Sequence, residues 1–155
     1  MIDAKELQKF LIEARINTYA GGKGKVGATL AGSDQLEYKT GNWLYRDVYY
    51  TGRGIFMGLE TVYFGDKPAW SMSYYGNFKK MSEKEIDRIL RKALIKNSQR
   101  TRLWNHIEWE SENYKYICAP DFRGSMDELA GSEKVFKGNE EVYSFYYAGG
   151  LIWKD

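Results

Sequence analysis

The sequence predicts an α+β domain made of a duplicated α-β-β-β-β unit, with a curved antiparallel sheet and two helices packed on one face. Three observations carry this. A stretch recurs: Gly58, Glu60, Val62, Gly65, Ser71, Tyr74 and Gly76 meet the same residue types 73 positions later, at Gly131, Glu133, Val135, Gly138, Ser144, Tyr147 and Gly149. A helical pattern precedes each copy, and between helix and copy lies a β-hairpin pattern, Leu36 to Tyr45 in the first half and Ile107 to Tyr116 in the second.

The first helix is expected from about Ala4 to Asn17. Leu7, Phe10, Leu11 and Ala14 fall on one face at i, i+3, i+4, i+7, and Asp3 with Glu6 forms a capping box. Ser82 with Glu85 repeats the device, and Ile86, Ile89, Leu90 and Ala93 give the second buried face. Thr18 to Gln35 is a glycine-rich loop whose counterpart, Asn97 to His106, is shorter, so function is expected at this asymmetry. The hairpins turn at Thr40-Gly41-Asn42 and at Ser111-Glu112-Asn113, between alternating apolar residues. The recurring strand pairs turn at Gly65-Asp66-Lys67-Pro68 and Gly138-Asn139-Glu140-Glu141. Four strands per unit make a sheet of eight, and residues 1–155 form a single domain with repeats at 3–76 and 82–150.

Register decides which side chains face the helices. A loop of two or four residues sets Val62 opposite Ser71 and Glu60 opposite Ser73. Tyr63, Trp70, Met72 and Tyr74 then point to the core, as do Phe136, Tyr143, Phe145 and Tyr147. Glu60, Val62, Ser71, Ser73 and Tyr75 share the opposite, concave face with Glu133, Val135, Ser144 and Tyr146. A loop of three residues reverses the parity and brings Glu60 beside Trp70. In either register a glutamate in mid-strand, twice, is poorly explained by strand propensity.

A chain of 155 residues buries roughly two-thirds of its unfolded surface without staples. The lone Cys118 with the lone His106 supplies neither a disulfide nor a zinc site, so a reducing, cytoplasmic setting and no metal or cofactor are expected. No apolar run reaches the length of a membrane span or a signal segment. Formal charge is only +2, and the strands carry Glu37, Asp47, Glu108, Glu110 and Glu112, which argues against nucleic acid. The basic run from Lys79 to Arg102 fits a solvated helix face better than a phosphate patch. Aromatic content is high, at 13 Tyr, 7 Phe and 5 Trp, residues that suit both strands and pockets.

Gly22-Lys23-Gly24-Lys25-Val26-Gly27 matches G-x-G-x-x-G in letters only. A dinucleotide fingerprint needs a strand before it and a helix after it, and here a helix comes before; Gly21 or Gly22 reads better as a left-handed helix stop. His106 lies in a strand pattern, where a structural role is the commoner one.

Three ordered motifs carry a family resemblance: Tyr19-Ala20-Gly21-Gly22 with Gly24-Lys25, Trp70-Ser71-Met72 with Tyr74-Tyr75-Gly76, and Tyr147-Ala148-Gly149-Gly150-Leu151-Ile152. Over about Lys9 to Trp153 the sequence resembles a bacterial domain family without a known function. Its members occur alone or behind a helix-turn-helix domain in some transcriptional regulators. The resemblance implies no catalytic residues. By analogy with the fused members it implies small-molecule sensing, and this sequence starts at the domain's first helix, without the DNA-binding module.

The functional expectation is a non-enzymatic domain that binds or senses a small molecule, cationic or aromatic, on the concave face. Glu60 and Glu133 are the charged anchors; Ser71, Ser73, Tyr75, Ser144 and Tyr146 are the polar lining; Tyr19 to Lys25 is the lid. A protein-interaction module using the exposed aromatic sheet or the basic helix around Arg88 and Arg91, with a homodimer or a regulator as partner, is the alternative. A hydrolase would require Glu60 and Glu133 close together and open to solvent.

Overall fold

In the computed structural model, which describes residues 2–153, two helices cover one face of a single open antiparallel sheet. The single-domain expectation extends to Met1, Lys154 and Asp155, which lie outside the described residues. The elements are α1 (Ala4–Ile16), β1 (Lys25–Val26), β2 (Asp34–Thr40), β3 (Trp43–Gly52), β4 (Ile55–Phe64), β5 (Lys67–Asn77), α2 (Glu83–Lys96), β6 (Ile107–Ser111), β7 (Tyr114–Pro120), β8 (Glu128–Lys137) and β9 (Glu140–Leu151). The sheet runs β1-β2-β3-β4-β5-β9-β8-β7-β6. It has nine strands where eight were expected, because the glycine-rich loop contributes the two-residue β1, pairing Lys25 with Leu36.

Both helices bury the expected faces, Leu7, Phe10, Leu11 and Ala14 on α1 and Ile86, Ile89, Leu90 and Ala93 on α2. They join one core cluster with Tyr45, Val62, Trp70, Met72, Tyr116, Val135, Tyr143, Phe145 and Tyr147 from the sheet. The caps differ in detail. Ser82 accepts from Glu85 N at 3.2 Å, whereas Asp3 accepts from Lys5 N at 2.8 Å, one amide earlier than expected. No glycine stops α1. Asn17 caps it, donating from its backbone and side-chain amides to Glu13 O, and the left-handed Gly22 (φ 66°) comes later.

Both long hairpins carry one extra residue, and this overturns the register expected for a two- or four-residue loop. Tyr63 pairs with Pro68 but Val62 with Trp70, so Ala69 is a bulge; Phe136 pairs with Glu141 but Val135 with Tyr143, so Val142 is another. One inserted residue swaps the faces. Glu60 and Val62 therefore share the helix-covered face with Trp70, Met72 and Tyr74, and Ser71, Ser73 and Tyr75 point away. Tyr63, assigned to the core face, stands outside it.

The recurring glycines are explained by the same face. Gly58 lies opposite Tyr74 and Gly131 opposite Tyr147. A Cβ at Gly58 would sit 2.6 Å from the Tyr74 hydroxyl, and one at Gly131 2.5 Å from that of Tyr147, so each tyrosine lies across the space of a missing side chain. In the centre Tyr74 pairs with Tyr147, joining β5 to β9.

Candidate functional site

Between the helices and the β2 to β5 half of the sheet lies a cavity of about 590 Å³. Of the residues singled out in the sequence, Glu60, Tyr19 and Lys25 line it. Glu133 is not among its walls. Ser71, Ser73, Tyr75, Ser144 and Tyr146 lie on the other side of the sheet, so the set expected around one concave site is divided between two faces.

Glu60 is only 2 % exposed. Arg15 of α1 grips it bidentately, Nη2 to Oε2 at 2.7 Å and Nε to Oε1 at 3.1 Å, and the Tyr45 hydroxyl donates to Oε1 at 2.7 Å. Burial works to raise the Glu60 carboxyl, but Arg15 outweighs it and holds it below the usual carboxylate range. The remaining Arg15 donor, Nη1, reaches the carbonyls of Thr101 at 3.4 Å and Arg102 at 3.2 Å.

Glu133 is fully buried in a comparable cage. Arg102 Nε donates to Oε1 at 3.0 Å, Thr101 Oγ1 to Oε2 at 3.3 Å, and the Tyr116 hydroxyl also to Oε2. Arg102 holds a left-handed backbone (φ 53°) to reach it, and its guanidinium stacks over Phe145 at 4.2 Å. Strands β5 and β9 separate β4 from β8 by three interstrand spacings, about 14 Å, and the register sets Leu129, not Glu133, across from Glu60, so the two glutamates stand farther apart still. The paired-carboxylate hydrolase expectation fails on distance, on burial and on the arginine each glutamate holds.

The cavity presents a different carboxylate. Asp47 on β3 lies directly opposite Glu60, 6 % exposed. Its one hydrogen bond among the described residues comes from the Tyr74 hydroxyl at 2.6 Å, and no Lys, Arg or His among them lies within ion-pair distance. Burial, then the negative Glu60, push Asp47 up to about 7, with Tyr74, Arg102 and Arg15 pulling the other way. In the second half the corresponding residue is Cys118, whose Sγ lies 3.6 Å from the Tyr147 hydroxyl. That hydroxyl donates to Leu103 O at 3.0 Å instead.

A second unsatisfied group faces the same space. The Tyr143 hydroxyl, in a residue 2 % exposed, has no hydrogen-bond partner among the described residues, and Tyr143 lines the cavity with Tyr49, Phe56 and Phe78. A buried hydroxyl without a partner costs about 1–3 kcal/mol, which a ligand's polar atom would recover. Over the mouth, Tyr19 donates to Asp87 of α2 at 2.6 Å, and Arg91 stacks on its ring at 5.1 Å while donating to its carbonyl at 3.1 Å. These contacts fasten the loop after α1 to the second helix. On the rim Lys25 pairs with Asp34 at 3.1 Å.

Asp47, Tyr74, Tyr143, Arg15 and Arg102 did not stand out in the sequence as site residues. The one available signal was a difference between two similar stretches, Asp47 in the one and Cys118 in the other. The basic run is likewise answered: Arg88 makes two bonds to Glu112 at 2.8 and 3.1 Å, Lys92 bonds Ser111 at 2.7 Å, and Arg102 is buried. Among the described residues no helix is long and apolar enough to cross a membrane, and no cluster of His, Cys, Asp and Glu could hold a metal ion.

A family model described as a domain of unknown function (DUF5680) matches residues 47–152, which takes in Asp47, Glu60, Tyr74, Glu133 and Tyr143. Comparison with curated proteins and with solved structures finds no match.

Proposed function

We propose, from the premise that the chain belongs to this family of unknown function, that it is a non-enzymatic domain that binds or senses a small molecule, cationic or aromatic, inside the cavity between helices and sheet. The observation that carries the reading is one cavity of about 590 Å³ lined both by a buried carboxylate without an ionic partner and by a buried tyrosine whose hydroxyl has no hydrogen-bond partner among the described residues. Ligand sites have this form, an apolar lining with a few convergent polar groups. Glu60 serves the site by fixing Arg15 and Tyr45; Tyr19 and Lys25 close it; Glu133 does the corresponding structural work in the second half. In this reading the two halves descend from one duplicated unit, and the half with Asp47 kept the site while the half with Cys118 did not. A buried single cysteine suits a cytoplasmic, reducing setting, and the domain would serve a bacterial regulator as its sensing part.

The uncovered face of the sheet supports a second reading, a protein-interaction surface. Tyr50, Met57, Tyr75 and Tyr146 are successive cross-strand partners and all exposed, Tyr146 at 51 %, with Leu59 beside them. Ser71, Ser73 and Ser144 lie on this surface too. A contiguous exposed apolar patch of this kind marks a contact surface in many proteins.

A thermal-shift screen of cationic, aromatic and nucleotide metabolites, followed by NMR mapping of each hit, separates the two. Binding at 100 times Kd stabilises by about 2.7 kcal/mol. Hits are expected to shift resonances of Tyr49, Phe56 and Phe78. Hits that move only Tyr75 and Tyr146 would sink the cavity reading in favour of the open face.

A further inference from the structure

Resting on the cavity reading, we infer that the ligand is a protonated amine with an apolar body, and that it is taken up in exchange for the proton on Asp47, so that occupancy of the site is coupled to pH.

The charges around Asp47 lead to this. Arg15 from α1 and Arg102 from the segment after α2 face it, and each is bonded to its own glutamate. Glu60, the cross-strand neighbour on β4, is matched by Arg15, and Tyr74 on β5 and Tyr45 on β3 contribute neutral hydroxyls. Farther out the cavity wall carries Glu83, Asp87 and Arg91 of α2, Lys23 and Lys25 of the loop, and Asp34 of β2. With both buried arginines matched, Asp47 is the inner group whose charge state can change, and burial raises its carboxyl to about 7. An ionised carboxylate beside Glu60 needs a cation; a proton serves in the free protein.

A protonated amine replaces that proton. The Asp47 O–H bond breaks, the proton leaves to solvent, and the ammonium N–H donates to the freed carboxylate oxygen. The net charge inside is unchanged, so no buried charge is left unmatched. An anionic ligand would meet Asp47 and Glu60 instead, and a hard metal cation would want six or more oxygens where the described residues gather no such cluster. The tyrosine and phenylalanine walls hold the apolar body and add cation–π attraction, and the Tyr143 hydroxyl gains a partner.

The test uses 2-phenylethylammonium and its neutral isostere 2-phenylethanol, with the cyclohexylmethyl pair as a second size, titrated calorimetrically at several values between about pH 5 and 8 in two buffers of different ionisation enthalpy. The amines stay protonated across that range, as an aliphatic ammonium of pKa about 10 does. The ammonium is expected to bind at least tenfold more tightly than the alcohol at the upper end. Its affinity should fall about tenfold per pH unit below about 7, with close to one proton released there. Asp47→Asn keeps an acceptor for Tyr74 and should bring ammonium and alcohol to equal, pH-independent affinity; Tyr143→Phe should weaken both equally. Equal binding of ammonium and alcohol to the natural chain, or an unchanged preference in Asp47→Asn, overturns the exchange while leaving the cavity reading in place. If neither series binds or moves cavity resonances, the cavity reading falls and takes the exchange with it. Carboxyl NMR of Asp47 in the natural chain needs no variant: its midpoint should drop by at least one unit on saturation with the ammonium, and an unmoved midpoint overturns the proposal.

Discussion

At the scale of single residues, Asp47 sets the balance of charge in the interior. Its carboxyl sits near 7 in the fold against about 4 in an unfolded chain, so the fold binds this proton more tightly than the unfolded state does. Asp47 therefore favours the fold fully below about pH 4, and the contribution is lost as pH rises to about 7, beyond which it stays lost. Asp47→Asn removes that dependence. Urea unfolding of both proteins across this window should show the natural chain losing ground to the variant by up to about 1.4 kcal/mol per pH unit, with a constant difference above it. A difference that does not change with pH would mean that Asp47 titrates in the fold as it does in the unfolded chain. Glu60 has the opposite sign, since Arg15 lowers it; its contribution is present at neutral pH and lost as pH falls through its folded value. The sequence displays both acids as mid-strand carboxylates, but which of them holds an arginine depends on Arg15 arriving from α1, 45 positions away from Glu60. No local pattern encodes that distance.

At the scale of elements, helices and hairpins were legible and the strand faces were not. Apolar spacing located the buried faces of α1 and α2 because helix periodicity survives a one-residue error at either end. Strand periodicity does not: the one extra residue at Ala69 moved Glu60, and the one at Val142 moved Glu133, to the helix-covered face, while Ser71 and Ser144 kept the face expected of them. Once the face is known, the spacing Gly58 to Glu60 and Gly131 to Glu133 has a mechanical sense: the glycine gives room to a tyrosine hydroxyl, two residues from a carboxylate that a helix or loop arginine must reach. Gly58→Ala would place a methyl group 2.5 Å from Val48 O and 2.6 Å from the Tyr74 hydroxyl, displacing the donor to Asp47. Overpacking of this kind costs about 1–3 kcal/mol. The same change at Gly27, where nothing lies within 4 Å, should leave stability within about 0.5 kcal/mol. Urea midpoints of the two variants decide it, and equal midpoints would show that Val48 O and Tyr74 yield the space at Gly58 without cost.

At the scale of the whole molecule, the two halves meet in a chain of charge that a pairwise description divides artificially. Arg15 holds Glu60 with two donors and, with its third nitrogen, the carbonyls of Thr101 and Arg102; Arg102 holds Glu133. The segment after α2 is thereby tied to α1 by Arg15 and to β8 by Arg102, across a sheet whose central strands β5 and β9 contribute Met72 and Phe145 beneath the two guanidinium groups. Removing one carboxylate leaves a buried arginine uncompensated, so Glu60→Gln and Glu133→Gln are each expected to cost about 3–5 kcal/mol. Sites three strand spacings apart, more than about 14 Å, add independently unless they share partners, and here they share the backbone of Thr101 and Arg102. Once the first substitution has loosened that segment, the second has less order left to destroy. The double variant should therefore lose less than the sum of the singles, by about 0.5–3 kcal/mol. Unfolding of the four proteins by urea, with Arg15→Lys as a fifth that keeps the charge and gives up the fork, measures the coupling directly. Strict additivity would mean that the halves are stabilised separately and that Arg15 is no bridge. A coupling abolished by Arg15→Lys would locate it in the guanidinium bonds to the carbonyls, which the ammonium of lysine cannot make together with a bidentate grip on Glu60.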